Sequence, residues 1–344
     1  MRVALVVAGE LSTTSGGYLY DRRLLERLIE RGHDVEVISI PHRSYGGRLL
    51  ENVRTRAVPS SDVDVVVEDG LAHPALLRTN RQLDRPIVAL LHMVASATVD
   101  GIRRRAVGAV ERRFLRSVDA AIHNSVDTEK RACRLGAPER SVVIPPAGDR
   151  FDPEISPAAI GRRAHEGALE IAFLGNVVER KGLRPLVDGL ARTELDWRLT
   201  VVGDPTVEPR YVERVRERVH SAGVGDRIEW AGRRSDESVA EILRATDVLA
   251  VPSSYEPFGI VYLEAMGFGC VPIAARNGGA DEFVRDGETG YTVPSEPAVI
   301  ADRIGRLADR DRLERMGIAA RGAYGRQPGW EQRLDRAVDF LEAI

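Results

Sequence analysis

Three side chains, Lys181, Glu256 and Glu264, carry the most specific chemistry in the sequence. The segment PSSYEPFGIVYLEAMGFGCVPIAARNGGADEF, Pro252 to Phe283, sets Glu256 seven intervening residues before Glu264. A helix starting near Phe258 would turn its free amides toward a phosphate and place Glu264 two turns further along. Two carboxylates so spaced can each hold a hydroxylated part of one elongated anionic ligand. Alone, such a pair would read as a helix-terminal acid plus an exposed acid; the surrounding PS, PFG, EAM and NGG elements favour the ligand reading. A second segment, FLGNVVERKGLRPLVDGL from Phe173 to Leu190, supplies the counter-charge. Lysine occurs only at Lys130 and Lys181, and every other basic residue is arginine. A lysine kept in so arginine-rich a chain suggests that a compact point charge is needed there.

Both segments resemble signatures of glycosyltransferase family 4, a retaining family with the GT-B fold. The resemblance implies an α/β protein of two Rossmann-like domains facing each other across a cleft, with a nucleoside-diphosphate sugar as donor. It implies that Glu256 binds hydroxyls of the transferred sugar and Glu264 the nucleotide ribose. The amides of Phe258, Gly259 and Ile260 would cradle the donor, and Lys181 would neutralise its diphosphate. The lysine loop matches the family's G-R-x-x-x-x-K-G pattern except that Asn176 stands at the arginine position. Arg180, beside Lys181, either turns inward to replace that charge or is a solvated loop residue.

The N-terminal half carries the same resemblance in SGGYLYDRRLLERLIERGHDVEV, where Gly16 and Gly17 would let backbone approach the donor phosphate. In LLHMV, His92 matches the family histidine beside the reacting sugar, and it ends a strand where open α/β sheets bind ligands. Gly203 in VVGD and Arg233 in EWAGR match loops near the nucleotide base, or are ordinary strand-end loops. The implied catalytic set is Glu256, Lys181 and His92, with no enzymic nucleophile, no metal and no cofactor beyond the donor substrate. The Asp62–Asp64 D-V-D precedes a buried strand and reads as structural. The resemblance is weak from Pro41 to Thr79, where the family's acceptors bind.

Positioning these residues requires two parallel sheets. Apolar, β-branched runs alternate with helical periodicity throughout. Expected strands are Val3–Ala8, Val35–Ile40, Val63–Val67, Ile87–Leu91, Ala120–Ile122 and Val142–Ile144. After Pro145–Gly167 they resume at Glu170–Leu174, Leu199–Val202, Arg227–Trp230, Val248–Val251, Val271–Ala274 and Tyr291–Val293. Residues 1–150 form an acceptor domain and 151–327 a donor domain, with a terminal helix, 328–344, docking back on the first. The first helix should bury Tyr20, Leu24, Leu25, Leu28 and Ile29 and stop at Gly32, a left-handed cap.

With 344 residues, 43% hydrophobic, 29% charged and a net charge of -3, the chain has room for two cores and no general reason to bind nucleic acid. Cys133 and Cys270 lie far apart without metal or disulfide spacing. The first apolar run is too short for a leader or a span, so a cytoplasmic location is expected, at the inner membrane surface if the next segment binds lipid. Gly101–Val118 should form a helix with Ile102, Ala106, Val110 and Phe114 on one side and six arginines against one acid, Glu111. It either packs on its sheet and solvates its arginines, or makes weak peripheral contact with an anionic membrane. The acceptor and the oligomeric state are unspecified by sequence. Rival readings are an epimerase or phosphorylase on the same fold, or a non-catalytic nucleotide-sugar-binding protein.

Overall fold

The computed structural model describes residues 1–41, 43–54, 59–60 and 62–344; positions 42, 55–58 and 61 of the weakly resembling stretch lie outside them. The elements run β1 (Arg2–Ala8), α1 (Gly16–Glu30), β2 (Asp34–Ile40), α2 (Tyr45–Arg54), β3 (Val65–Asp69), α3 (His73–Leu76), β4 (Ile87–Leu91), α4 (Gly101–Leu115), β5 (Ala120–His123), α5 (Val126–Arg134) and β6 (Ser141–Val143). They continue with α6 (Pro157–His165), β7 (Leu169–Leu174), α7 (Leu183–Leu190), β8 (Trp197–Val202), α8 (Pro209–Ser221), β9 (Ile228–Gly232), α9 (Asp236–Ala245), β10 (Val248–Ala250), α10 (Ile260–Gly267), β11 (Val271–Ala275), β12 (Tyr291–Val293), α11 (Pro297–Gly305), α12 (Arg310–Tyr324) and α13 (Trp330–Glu342). Two compact units result, Met1–Pro146 with Gly329–Ile344, and Ala147–Pro328.

The first unit holds a six-stranded parallel sheet in the order β2-β1-β3-β4-β5-β6. β4 is buried along its whole length and β1 from Val3 onward, because helices cover both faces. Strand order reverses between β1 and β3, the place where such sheets bind ligands beyond their carboxyl ends. α1 forms because the Ser15 side chain accepts the Tyr18 N–H and Tyr20, Leu24 and Leu28 share a buried stripe. Leu25 is half-buried, while Ile29 is exposed at the edge of that stripe. The chain leaves α1 through Gly32 at φ +82°.

Two expectations need correction in this unit. The third strand runs from Val65 to Asp69, later than Val63–Val67, so the acids Glu68 and Asp69 are strand residues and fully buried. In α4, Ile102 is 85% exposed, Ala106 is exposed and Val110 only half-buried; the buried face is Gly108, Glu111, Phe114 and Leu115. The physical reason is Glu111, whose carboxylate turns inward to accept the Ala95 and Ser96 backbone N–H groups at 2.5 and 3.0 Å. Asp62 and Asp64 both serve Arg2, one through an ion pair and the other by accepting its backbone N–H at 2.7 Å.

The second unit has a parallel sheet in the order β12-β11-β10-β7-β8-β9. Its reversal lies between β7 and β10, the strands that precede the lysine loop and the PSSYEPFG loop. Its core runs from Phe173 and Trp197 through Tyr262, Met266 and Phe268 to Ile300 and Leu307.

α13 rejoins the first unit. Trp330 meets Tyr20 edge-on with ring centroids 5.6 Å apart, and Arg27 grips Asp335 with two hydrogen bonds of 2.8 Å. The ion pairs are partly solvated and add little each, so the buried Trp330 should dominate the docking. Trp330→Ala is expected to lower unfolding free energy by about 3 kcal/mol, read from urea denaturation, whereas Asp335→Ala should change it by less than about 1 kcal/mol.

Candidate active site

The loops after β7 and β10 are braced against each other. A short 3₁₀ turn, Glu179–Lys181, ends in Gly182 at φ +77°. The Arg180 carbonyl accepts the Ser254 N–H at 2.9 Å, and the Arg180 guanidinium donates to the Tyr255 carbonyl at 2.6 Å. This sets Lys181 Nζ 2.5 Å from Glu256 Oε2, to which Ser253 Oγ donates at 3.2 Å, and Arg180 Nη1 adds an ion pair to the same oxygen at 3.8 Å. Arg180 therefore turns inward. Burial raises the Glu256 carboxyl, but Lys181, Arg180 and Ser253 together outweigh that and hold it below the ordinary range. Burial also lowers the Lys181 ammonium, only partly offset by Glu256. Lys130, the other lysine, is exposed.

The NGG element fixes Glu256 from behind. Asn277 accepts the Glu256 N–H at 3.0 Å, the Gly279 N–H donates to the Glu256 carbonyl at 3.1 Å, and the Asn277 side chain donates to Ser254 at 2.9 Å. Gly278 lies so close that a Cβ would sit 1.8 Å from the Glu256 carbonyl oxygen, at φ +137°.

α10 begins at Ile260 rather than near Phe258, because Gly259 takes a left-handed conformation, φ +91°, as its N-cap. Glu264 is consequently little more than one turn into the helix, where two turns were expected. Phe258 is buried against Phe283 with centroids 4.9 Å apart, a packing contact. Glu264 is 2% exposed, and its Oε1 is buried without a hydrogen-bond partner. Its nearest cation is Arg150, at 3.9 Å, which also hydrogen-bonds Asp236. Desolvation pushes the Glu264 carboxyl up to about 7.

The remaining positions lie elsewhere around the two sheets. Asn176 follows β7 and uses its backbone carbonyl to accept the Val178 N–H. Gly203 follows β8 and hydrogen-bonds the Gly232 carbonyl at 2.9 Å. Arg233, 62% exposed, faces Asp204 at 3.7 Å on that edge, outside the Lys181–Glu256 group. In the first unit Gly16 and Gly17 open α1, and a Cβ on Gly17 would lie 3.1 Å from the His92 ring. His92, 7% exposed, places Nε2 2.7 Å from Asp21 Oδ1. Sequence reading missed Ser253, Arg150 and Asp21. Ser253 lies inside the quoted PSSYEPFG segment and was within reach, whereas Asp21, one helical turn after Gly17, and Arg150 carry no local signal.

Gly278→Ala should cost roughly 1–3 kcal/mol from backbone strain alone and displace Glu256. The expected signature is a lower melting temperature, with loss of whatever ligand affinity depends on Glu256. A melting temperature equal to the parent's would show that the NGG loop does not pin that residue.

A family model described as Glycosyl transferases group 1 matches residues 161–323, and one described as Glycosyltransferase Family 4 matches residues 20–150. A D-inositol 3-phosphate glycosyltransferase of Xylanimonas cellulosilytica is 32% identical over 275 residues, 74% of this chain and 66% of that protein. A GDP-mannose-dependent alpha-(1-6)-phosphatidylinositol monomannoside mannosyltransferase of Mycobacterium tuberculosis is 31% identical over 251 residues, 68% of this chain and 64% of that protein. The chain spans less than two thirds of the length of such curated relatives, 44% for the one from Corynebacterium diphtheriae. Among solved structures, sucrose-phosphate synthase from Thermosynechococcus elongatus superimposes with a TM-score of 0.84 at 21% identity, covering 99% of this chain and 98% of that one. Anabaena HepE in complex with UDP-glucose gives 0.77 at 20% identity over 100% of both chains. At such identities the structures speak to fold alone, and the fold is GT-B. The two family models, which fall one on each unit, show that the chain belongs to glycosyltransferase family 4.

Proposed function

We propose that the chain transfers a sugar, with retention of configuration, from a nucleoside-diphosphate sugar to an acceptor hydroxyl. The observation that carries this reading is the convergence of Lys181, Arg180, Ser253 and Glu256 at the strand-order reversal of the second sheet. As the bond from sugar to phosphate breaks, negative charge grows on the leaving diphosphate. Lys181, Arg180 and the first-turn amides of α10 would meet it, each preorganised donor contributing on the order of 3 kcal/mol. Arg180 thus takes over the charge absent at Asn176. Glu256, released from Lys181 by the phosphate, would hold the sugar hydroxyls, and the Glu264 oxygen that lacks a hydrogen bond would accept from the ribose. The leaving phosphate itself would take the acceptor proton, and the protein's own cations would make a metal unnecessary.

The names of the relatives suggest the acceptor class. Proteins about one third identical to this chain are named for inositol phosphate and phosphatidylinositol mannoside acceptors, and a hydroxylated ring bearing phosphate is the acceptor class we infer here. No helix among the described residues is long and apolar enough to cross a membrane. With Glu111 turned inward, the outer side of α4 is left basic. A groove of about 510 Å³ on one flank is lined by Arg81, Arg112, Arg113 and Arg116, and one of about 320 Å³ on the other includes Arg104 and Arg105. Beside them Ile102 is exposed, a combination suited to an anionic lipid surface.

Two experiments test these readings. In an assay of acceptor-dependent nucleoside-diphosphate release, Glu256→Ala and Lys181→Ala should each reduce transfer at least about 100-fold with melting temperature nearly unchanged. Chelator should leave the parent rate intact. Release that needs no acceptor, or variants as active as the parent, would defeat the proposal. For the lipid contact, co-sedimentation with phosphatidylserine vesicles should be strong at low salt and disappear as salt screens the charge, and Ile102→Glu should weaken it. No sedimentation at low salt would remove the membrane from the account.

A further inference from the structure

The first unit contains a buried polar group for which the proposed reaction, as stated above, has no use. His92 leaves the end of β4, and its carbonyl accepts the Asn124 side-chain N–H at 2.7 Å. Its ring lies against Gly17, where even a methyl group would press on it, and meets the edge of Tyr20 at 5.3 Å. Tyr20 is itself fixed, donating its hydroxyl to the Ile144 carbonyl at 3.1 Å. The imidazole therefore has one orientation, and Nε2 is directed at Asp21, four residues beyond Gly17 and so on the same face of α1.

A second carboxylate completes the group. Asp69, at the end of β3, accepts the Leu71 N–H at 2.9 Å through Oδ1, while its Oδ2 and the Oδ2 of Asp21 are both buried without hydrogen-bond partners. One carboxylate oxygen of Asp21, one of Asp69 and one ring nitrogen of His92 lie within 4.8 Å of one another. His92 is the only cationic residue paired with either acid among the described residues. Two ionised carboxylates beside a neutral imidazole would gather two negative charges in a site nearly free of solvent, with Arg48 of α2 facing only Asp69, a state that proteins avoid. One proton on the imidazole and one on a carboxyl make the group neutral.

We propose that Asp21 is a positioning residue that keeps His92 in its imidazolium form, so that His92 serves transfer as a fixed cation and Nδ1–H donor and cannot act as a base. This rests on the transferase reading for its consequence, though the protonation state is independent of it. Burial alone would lower the imidazole, but Asp21, by charge and hydrogen bond, together with Asp69, raises it above its ordinary value. Asp69 is pushed up to about 7 by burial and by Asp21, and so retains a proton into the neutral range. Among the described residues, the other titratable groups facing the site are Tyr18 and Tyr20 of α1, both raised by burial and neutral, with Arg48 of α2 near Asp69 and Arg333 and Arg336 of α13 near Tyr20. A hydrogen-bond donor, and not a base, suits a reaction in which the leaving phosphate takes the acceptor proton.

The test is a pH titration of the ¹⁵N-histidine-labelled full chain by NMR, with the His92 signal identified by its loss in His92→Gln. Both ring nitrogens should report protonation at neutral pH, and Asp21→Asn should lower the midpoint by at least about one pH unit, tenfold in the protonation constant. Asp69→Asn should shift it much less. In transfer assays the alkaline limb of the rate should move to lower pH by the same amount in Asp21→Asn, with the donor KM unchanged. An unprotonated Nδ1 at neutral pH in the parent, or an unmoved midpoint in Asp21→Asn, would overturn the proposal. So would selective broadening of the His92 signal by stoichiometric Mn²⁺, which would show that a cation and not a proton neutralises the group. Should Asp21→Asn fail to fold, the parent titration decides alone. A protein with the titration described but no transfer would leave the proton assignment standing and remove the transferase reading.

Discussion

The ion pair between Lys181 and Glu256 is the contact around which the second unit is arranged. Two loops, from strands adjacent in space and far apart in sequence, must cross for it to form, and the Arg180 carbonyl and guanidinium tie them together. A partly buried pair of this kind contributes little net stability, because desolvation offsets attraction. Its value lies in poise. Glu256 also accepts from Ser253 and faces Arg180, so a ligand phosphate can take Lys181 without orphaning the carboxylate. Lys181 in turn exchanges one anion for another. On the proposed function, binding would swap partners within a preformed site instead of opening a closed one.

The two units apply one architectural rule to opposite charge. In each, polar residues gather beyond the carboxyl ends of the strands where strand order reverses. In the second sheet the group is cationic around one carboxylate, a set suited to a phosphate. In the first it is acidic around one imidazole, and on the proposal above it is neutralised by protons. Glycine permits both: Gly278 allows the NGG loop to press on Glu256, and Gly17 allows α1 to press on His92.

Much of this was legible in the sequence because strands buried on both faces read as unbroken apolar runs, and because a single lysine in an arginine-rich segment stands out. The start of α10 was misplaced by two residues because a left-handed Gly259 postpones the helix, and composition alone does not show whether a glycine uses its freedom. The apolar side of α4 was misread because periodicity counts Glu111 as a surface residue, whereas two backbone amides draw it inward. Asp69 was hidden by the same bias, an acid at the end of a strand being scored as loop. Asp21 and Arg150 were missed because their partners, His92 and Asp236, lie 71 and 86 residues away. Such pairings arise from topology, which a linear reading does not resolve.

The central claim is that this site recognises a diphosphate first and the rest of the donor second. Calorimetric titration of the protein with UDP and GDP, and in parallel with uridine and guanosine, tests it most directly. The account predicts saturable one-to-one binding of at least one nucleoside diphosphate, weakening as salt is raised, and no measurable binding of the matching nucleoside. Equal affinity for nucleoside and nucleoside diphosphate, or no binding of any nucleoside diphosphate, would contradict it.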